Sequence, residues 1–347
     1  MTEDRLREIL EGISRVRAGV VGDTALDAYW YADMRRAELS RETPHYNQPV
    51  SREVYSGGAL ANVAVNLAAL GAAQVGLFTV LGADWRGEIL KGILTEAGVD
   101  VAAVIWDEER FTTTFLKPML RGHEAVQEAP RFDFLTDHPP EAETVARLMD
   151  SLAAGLADLD CVLLGDQVPD GVVTDALIER AVELARREGA PVFTADSRYR
   201  IERFTGMFWK PNEIEAEKAL KGAGREIPPA GDPAEADVED AARKLAALGA
   251  AGVFVTLGPQ GCVAARGDAV CRVPGIETPP PIDIVGAGDA FHAAVAASLA
   301  ADADVAEAGL LGNLAAAVTI RKIGTTGTAS PGEILALFRE SRAGVER

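Results

Sequence analysis

The feature that most constrains this chain is a repeating alternation of short apolar runs with segments of helical period. Ala18 to Gly22, Val75 to Leu81, Val101 to Trp106, Asp160 to Asp166, Pro191 to Asp196, Phe208 to Lys210 and Gly252 to Leu257 read as strands. Between most of them lie helix-period segments: Leu60 to Leu70, Trp85 to Ala97, Thr144 to Leu156, Val173 to Arg187 and Glu239 to Leu248. Alternation at this spacing predicts an α/β fold with a central, mostly parallel sheet joined by right-handed crossovers. In such sheets ligands collect beyond the carboxyl ends of the strands. The turns that follow the strands are therefore where chemistry is sought.

Two stretches break the alternation. Ala28 to Tyr55 carries Tyr29, Trp30, Tyr31, Tyr46 and Tyr55 among many charges, with no long helical period. Thr112 to Leu120, a turn at Arg121 to Glu124, and Ala125 to Phe134 read as a hairpin. Both are expected to stand outside the sheet as one flap. The expected division is core 1–28, lid strands 29–56, core 57–108, lid hairpin 109–136 and core 137–347. At 48% hydrophobic residues the 347-residue chain has ample material for one large core. Its net charge of −19 argues against nucleic acid as the main partner. No apolar run reaches the ~18 residues of a membrane span, and residues 2–17 lack a signal-peptide core. Cys161, Cys262 and Cys271 are scattered without metal-ligand spacing. A soluble cytoplasmic protein is the expectation.

Several strand-end turns carry glycine or carboxylate. Asp23 and Asp27 follow the first strand and can accept hydrogen bonds from a hydroxyl-rich ligand; turn chemistry and capping explain them equally well. Gly57-Gly58 leads into a helix bearing Asn62 in its first turn. Asn212 and Glu215 are three apart at a helix start, the spacing of a capping box. Gly258-Pro259-Gln260-Gly261 closes another strand. The last turn follows three prolines: Asp283-Ile284-Val285-Gly286-Ala287-Gly288-Asp289 opens an alanine-rich helix. Small residues there leave backbone N–H groups open to an anion. Asp289 is either a plain helix-start carboxylate or a base that takes a hydroxyl proton. There is no Gly-x-x-x-x-Gly-Lys-Ser/Thr loop and no Gly-x-Gly-x-x-Gly after the first strand, which weakens P-loop and dehydrogenase readings. His45, His123, His138 and His292 are isolated, and His292 is expected to be packed or solvated rather than catalytic.

Taken together, these motifs resemble the ribokinase-type (pfkB) family of carbohydrate kinases. Gly57 to Ala64 is similar to its N-terminal signature and Asp283 to Asp289 to its C-terminal one. Asn212 to Glu215 is similar to its Asn-x-x-Glu, and Thr256 to Gly261 to its nucleotide turn. Within the family, Gly22 to Tyr31 and Arg131-Phe132-Asp133-Phe134 look like the kinase domain of the bifunctional heptose-7-phosphate kinase/heptose nucleotidyltransferase branch. Asp196-Ser197-Arg198 stands where that branch has Asp-Pro-Lys, and Gly165 to Pro169 lacks its Tyr and Lys.

The resemblance implies a ribokinase-like three-layer sandwich with a small β-strand lid, ATP and Mg²⁺ as cofactors, and a sugar or sugar phosphate as acceptor. It implies Asp289 as base, with N–H groups of Gly286, Ala287 and Gly288 holding the transferring phosphoryl group. Asp23, Asp27, Gly57, Gly58 and Asn62 would hold the sugar, assisted by Asp166. Thr256, Gly258, Gly261 and Asn313 would line the nucleotide site. Asn212 and Glu215 would order Mg²⁺ through water, and Asp283 with the Gly324 turn would form a monovalent-cation (K⁺) site. A homodimer paired through the flaps is expected, with no membrane or nucleic-acid partner. Arg35, Arg36, Lys117, Arg121, Arg198 and Arg200 are the cations to test against an acceptor phosphate. Two rivals are a catalytically silent sugar- or nucleotide-binding protein and a nucleoside kinase, which would want an aromatic, purine-sized pocket.

Overall fold

The structure, a computed structural model, describes residues 1–223, 235–324 and 326–345. Strand β1 (Arg17–Gly22) is buried from Ala18 onward, as expected of a strand covered on both faces. It pairs in parallel with β4 (Gln74–Phe78) on one side and β10 (Cys161–Asp166) on the other. The sheet continues through β11 (Val192–Ser197), β12 (Phe208–Trp209) and β13 (Gly252–Thr256), all parallel. It ends in an antiparallel hairpin, β14 (Gly261–Arg266) and β15 (Ala269–Pro274). The order is β15-β14-β13-β12-β11-β10-β1-β4.

Helices cover both faces. On one lie α1 (Glu3–Ile13), α2 (Leu60–Ala69), α3 (Trp85–Glu96), α8 (Ala287–Ala300), α9 (Val305–Thr319) and α10 (Pro331–Val345), sharing a core of Leu6, Leu67, Phe254, Phe291 and Leu314. On the other lie α4 (Ala142–Gly155), α5 (Asp175–Ala185), α6 (Glu213–Gly222) and α7 (Glu235–Ala246), closed around Leu148, Leu164, Phe204 and Trp209. This is the three-layer sandwich. Among the described residues no helix is long and apolar enough to cross a membrane.

The lid is a separate sheet of β3 (Val50–Ala59), β2 (Thr24–Asp33), β7 (Thr114–Arg121) and β8 (Val126–Glu128), with β9 (Phe132–Phe134) also paired to β7. Opposed residues share a face. Asp27 stands opposite Ser56 and Phe115, and Tyr29 opposite Lys117. The first lid strand starts at Thr24, earlier than the expected residue 29. Gly22 makes the turn possible: its φ is +127°, and a Cβ there would lie 2.5 Å from the Gly165 carbonyl. Asp27 is thus a lid residue, not part of a strand-end turn.

Other expectations shift. The apolar stretch 75–81 is divided into β4 and β5 (Val80–Gly82), and β5 pairs only with β6 (Ile105–Asp107), which stands outside the main sheet. The closing helix is longer than Ile334 to Phe338. Of the glycine- and proline-rich stretch 221–238, residues 224–234 lie outside the described residues.

Candidate active site

Helix α8 begins at the carboxyl edge of the sheet. Gly286 is its N-cap in the left-handed region (φ +81°), and no side chain caps the helix. A Cβ at Gly286 would meet Asn62 Nδ2 at 2.6 Å, so only glycine lets that amide approach. Asn62 Nδ2 donates to Asp289 Oδ2 at 2.8 Å, and Asn66 Nδ2 donates to Asn62 Oδ1 at 3.1 Å. Both asparagines are buried, so a poor helix former is retained twice in α2 to fix one carboxylate. Asp289 is half-buried; loss of water pushes its carboxyl up to about 6, against the Asn62 hydrogen bond and with the charge of Asp196 adding to the rise. Such a group is a carboxylate at neutral pH yet basic enough to accept a proton.

The lid brings Asp27 to the same place, close enough for its charge to act on Asp289. Burial raises the Asp27 carboxyl, opposed by Lys117, whose Nζ is 3.4 Å away. Lys117 also donates to the Tyr29 hydroxyl at 2.9 Å. Burial works against the Lys117 charge, but Asp27 and Tyr29 together hold it above its usual range. Gly58 is the close neighbour: a Cβ there would lie 3.0 Å from Asp27 Oδ2. A Cβ at Gly57 would meet Ala61 at 3.1 Å. Arg131 forks onto Asp133 at 2.5 and 2.6 Å and lies over the Phe115 ring.

On the opposite flank Asn212 and Glu215 form a reciprocal capping box, each side chain bonded to the other's backbone N–H at 2.9 Å. That local role leaves one Glu215 oxygen free of the box. Burial and the charge of Asp196 raise the Glu215 carboxyl, while Lys210 opposes the rise. Among the described residues no three His, Cys, Asp or Glu side chains could hold a metal by themselves. Two mutually repelling carboxylates, Asp196 and Glu215, do fit Mg²⁺ held largely through water. A β-bridge joins Asn212 to Thr256, so this turn and the nucleotide turn are neighbours. Gly258 (φ +54°) faces open space.

Several expected ligands already have partners within the protein. Asp23 is 2% exposed and accepts the backbone N–H groups of Gln167, Val168 and Val172 at 2.8, 2.9 and 2.6 Å. It therefore holds the 167–172 loop, with both of its oxygens taken by backbone N–H groups. Asp166 is gripped by the Arg200 fork at 3.1 and 3.2 Å and by Ser197 Oγ at 2.7 Å, which removes both Asp166 and Arg200 from the list of free groups. Asn313 Nδ2 donates to the Val273 and Pro274 carbonyls, tying down the end of β15. Gly261 is walled in by Val273 O, 2.2 Å from where its Cβ would stand, so its backbone packs against β15. Asp283 accepts from Val285 N at 3.1 Å and Gly324 N at 3.0 Å, closing one loop on another. Arg35, Arg36, Arg121 and Arg198 are exposed, and Arg35 is forked onto Asp33. His292 is fully buried and shares a 2.8 Å hydrogen bond with Thr194.

Two residues of the centre were missed. Lys210 and Asp196 form a buried ion pair of 3.1 Å beside the start of α8. The signal was an Asp and a Lys each ending a predicted strand, since those ends converge in a parallel sheet. A groove of about 1140 Å³ runs along α9 past Val273, Ile276, Leu310 and Phe338 and contains none of the α8 turn.

Comparison with known proteins agrees with this layout. Residues 20–331 match the family described as pfkB family carbohydrate kinase. A relative named Bifunctional protein HldE from Caulobacter sp. (strain K31) is 33% identical over 327 residues, covering 93% of this chain and 63% of its own length. One of the same name from Geotalea uraniireducens (strain Rf4) is 29% identical, covering 97% of this chain and 66% of its own length. The chain thus spans slightly under two thirds of these relatives. Among solved structures, Arabidopsis thaliana ribokinase complexed with ribose and ATP superposes with a TM-score of 0.70 at 17% identity, covering 94% of this chain and 99% of its own. Escherichia coli phosphofructokinase-2 in complex with potassium gives 0.69 at 20% identity, covering 96% and 100%. These likenesses show the fold, and the match from the first strand through the α8 turn to residue 331 shows the family: the chain belongs to the pfkB carbohydrate kinases.

Proposed function

We propose that this chain is an ATP-dependent kinase that transfers the γ-phosphoryl group to a hydroxyl of a sugar or sugar phosphate. The observation that carries the reading is Asp289, held by Asn62 at the uncapped start of α8 and faced by Asp27 from the lid. Asp289 Oδ2 is occupied by the Asn62 amide, so Oδ1 takes the acceptor's proton as its oxygen attacks phosphorus. N–H groups of the α8 first turn and the positive end of the helix face the charge that builds on the phosphoryl oxygens. Asp27, with Gly58 behind it, accepts hydrogen bonds from sugar hydroxyls and orients the attacking one. The lid excludes water, which would otherwise compete as acceptor. Thr256 and Gly258 border the nucleotide.

Asn212 and Glu215, with Asp196 alongside, would hold Mg²⁺ through water; the ion supplies charge neutralisation at the nucleotide phosphates. The Asp283–Gly324 closure is our proposed seat for K⁺, a reading supported by the potassium complex of phosphofructokinase-2. Exchanging K⁺ for Na⁺ in the assay is expected to lower activity, and identical rates would remove that assignment. Similarity to the HldE proteins makes a heptose phosphate the first acceptor to try. We also propose a homodimer joined through the lids.

The test is ADP release from ATP and Mg²⁺ across a panel of sugars and sugar phosphates. At least one member is expected to give turnover of ~1 s⁻¹ or more. Saturable binding without ADP release from any member would instead favour the silent binding protein.

A further inference from the structure

Lys210 follows β12 and precedes Pro211, and only 6% of it is exposed. A buried ammonium requires compensation. Asp196, at the end of the neighbouring β11, supplies it at 3.1 Å. Gln167 Nε2 holds the same Asp196 oxygen at 3.1 Å, so the carboxylate is itself aimed. Two observations go beyond an ion pair that merely fills the core. First, Lys210 Nζ stands 3.8 Å from the point where a Cβ on Gly288 would project, and no other neighbour lies within 4 Å of that point. The charge therefore hangs over the open first turn of α8, where an incoming anion would sit. Second, an ammonium has three donors, and among the described residues Asp196 is its one ion-pair partner. Nearby His292 is fully buried and held neutral, its pKa pushed down to about 4 by loss of water, so it adds no second positive charge beside this turn.

We infer that Lys210 is a further catalytic residue, its ammonium contacting the γ-phosphoryl group in flight while Asp196 holds it in position. This rests on the kinase reading above. In the transfer, the acceptor oxygen forms a bond to the γ-phosphorus and the bond from that phosphorus to the β–γ bridging oxygen breaks. The bridging oxygen keeps the electron pair as part of ADP, and the acceptor proton goes to Asp289. Lys210 stays protonated throughout and contributes charge, not a proton. Backbone N–H groups carry only partial charges, whereas the transferring group spreads negative charge over three oxygens. A full positive charge beside the turn meets that need.

The test uses Lys210→Arg and the double variant Asp196→Asn/Lys210→Met, which avoids leaving Asp196 charged and buried alone. Calorimetry of Mg²⁺·ADP with and without aluminium fluoride reads the phosphoryl subsite without any acceptor. Wild type is expected to bind ADP at least ~10-fold more tightly with fluoride. Lys210→Arg is expected to lose most of that gain while binding Mg²⁺·ADP alone within ~3-fold of wild type; the double variant, which also takes Asp196 from beside the Mg²⁺ site, is expected to lose the gain relative to its own ADP affinity. Turnover is expected to fall by ~100-fold or more with acceptor KM little changed, the size of effect seen on removing a transition-state donor. If both variants keep the fluoride gain and their turnover, Lys210 only balances Asp196 and the inference is overturned. If wild type binds no nucleotide at all, the kinase reading fails first and takes the inference with it.

Discussion

Asp289 and Asp23 are both pushed up to about 6, chiefly by burial, yet their partners differ. Asp289 has one neutral amide, the charges of Asp196 and Asp27 that raise it and the Lys210 ammonium that opposes them; Asp23 has three backbone N–H groups and the charge of Asp166 nearby. A folded pKa above the unfolded value of 3.8 means the folded state holds more protons between the two. The contribution of Asp289 to stability is thus most favourable at low pH, falls as pH rises from about 4 to about 6, and stays unfavourable above that. Asp289→Asn removes the charge and can still accept from Asn62. It should raise the melting temperature at pH 8, with the gain vanishing near pH 4, while turnover drops at least ~100-fold. Wild-type kcat/KM should fall as pH drops through about 6. An unchanged rate in Asp289→Asn would end its role as base. Asp23 tests the contrary case. Asp23→Ala would orphan three buried N–H groups at ~1–3 kcal/mol each, so urea denaturation should show a loss of ~3 kcal/mol or more. Asp27→Asn should keep the fold and raise acceptor KM by ~10-fold.

The elements divide according to how local their causes are. The start of α6 was legible because capping is local: Asn212 accepts from the backbone N–H of Glu215, three residues on. The parallel strands were legible from their apolar runs, and the α8 turn from its glycines. The lid boundary was not, because Thr24 to Ala28 is as buried as a core strand and only its pairing with β3 and β7 shows which sheet it joins. The contacts of Asp23 and Asp166 were not legible for a related reason. Their partners are backbone N–H groups and a distant arginine, which leave no mark at neighbouring positions. Lys210 was passed over because a lysine before Pro-Asn reads as a solvated strand end until the fold buries it. The same geometry gives a test at the scale of the lid strands. A Cβ on Gly58 would press 3.0 Å from the Asp27 carboxylate, the mobile end of a side chain that can shift by a few tenths of an ångström. Gly58→Ala should therefore leave the melting temperature nearly unchanged and raise acceptor KM several-fold, with ATP affinity intact. An unchanged acceptor KM would show that Asp27 is not set by its neighbour across the strands.

At the scale of the whole molecule, the lid poses a problem that the core does not. It is a small sheet with β3 and β8 at its edges, and an open edge presents unpaired backbone groups. Its margins also expose Val50, Val126 and Phe132, the last by 59%. A second copy is the proposed cover, and charge then makes the association conditional. Each chain carries a net charge of −19, so two copies repel through water until salt screens them. Apolar contact at the lids is insensitive to moderate salt, whereas the repulsion is not. The dimer should accordingly tighten as salt rises from ~20 to ~200 mM, where the Debye length shrinks from about 20 to about 7 Å. Analytical ultracentrifugation at micromolar protein reads this directly. Phe132→Glu/Val126→Glu should sediment as a monomer at both salts, with ATP binding retained because the nucleotide turn belongs to the core sheet. A wild-type protein that is monomeric at both salts would remove the lid-paired dimer. A dimer that survives both substitutions would move the interface away from the lid.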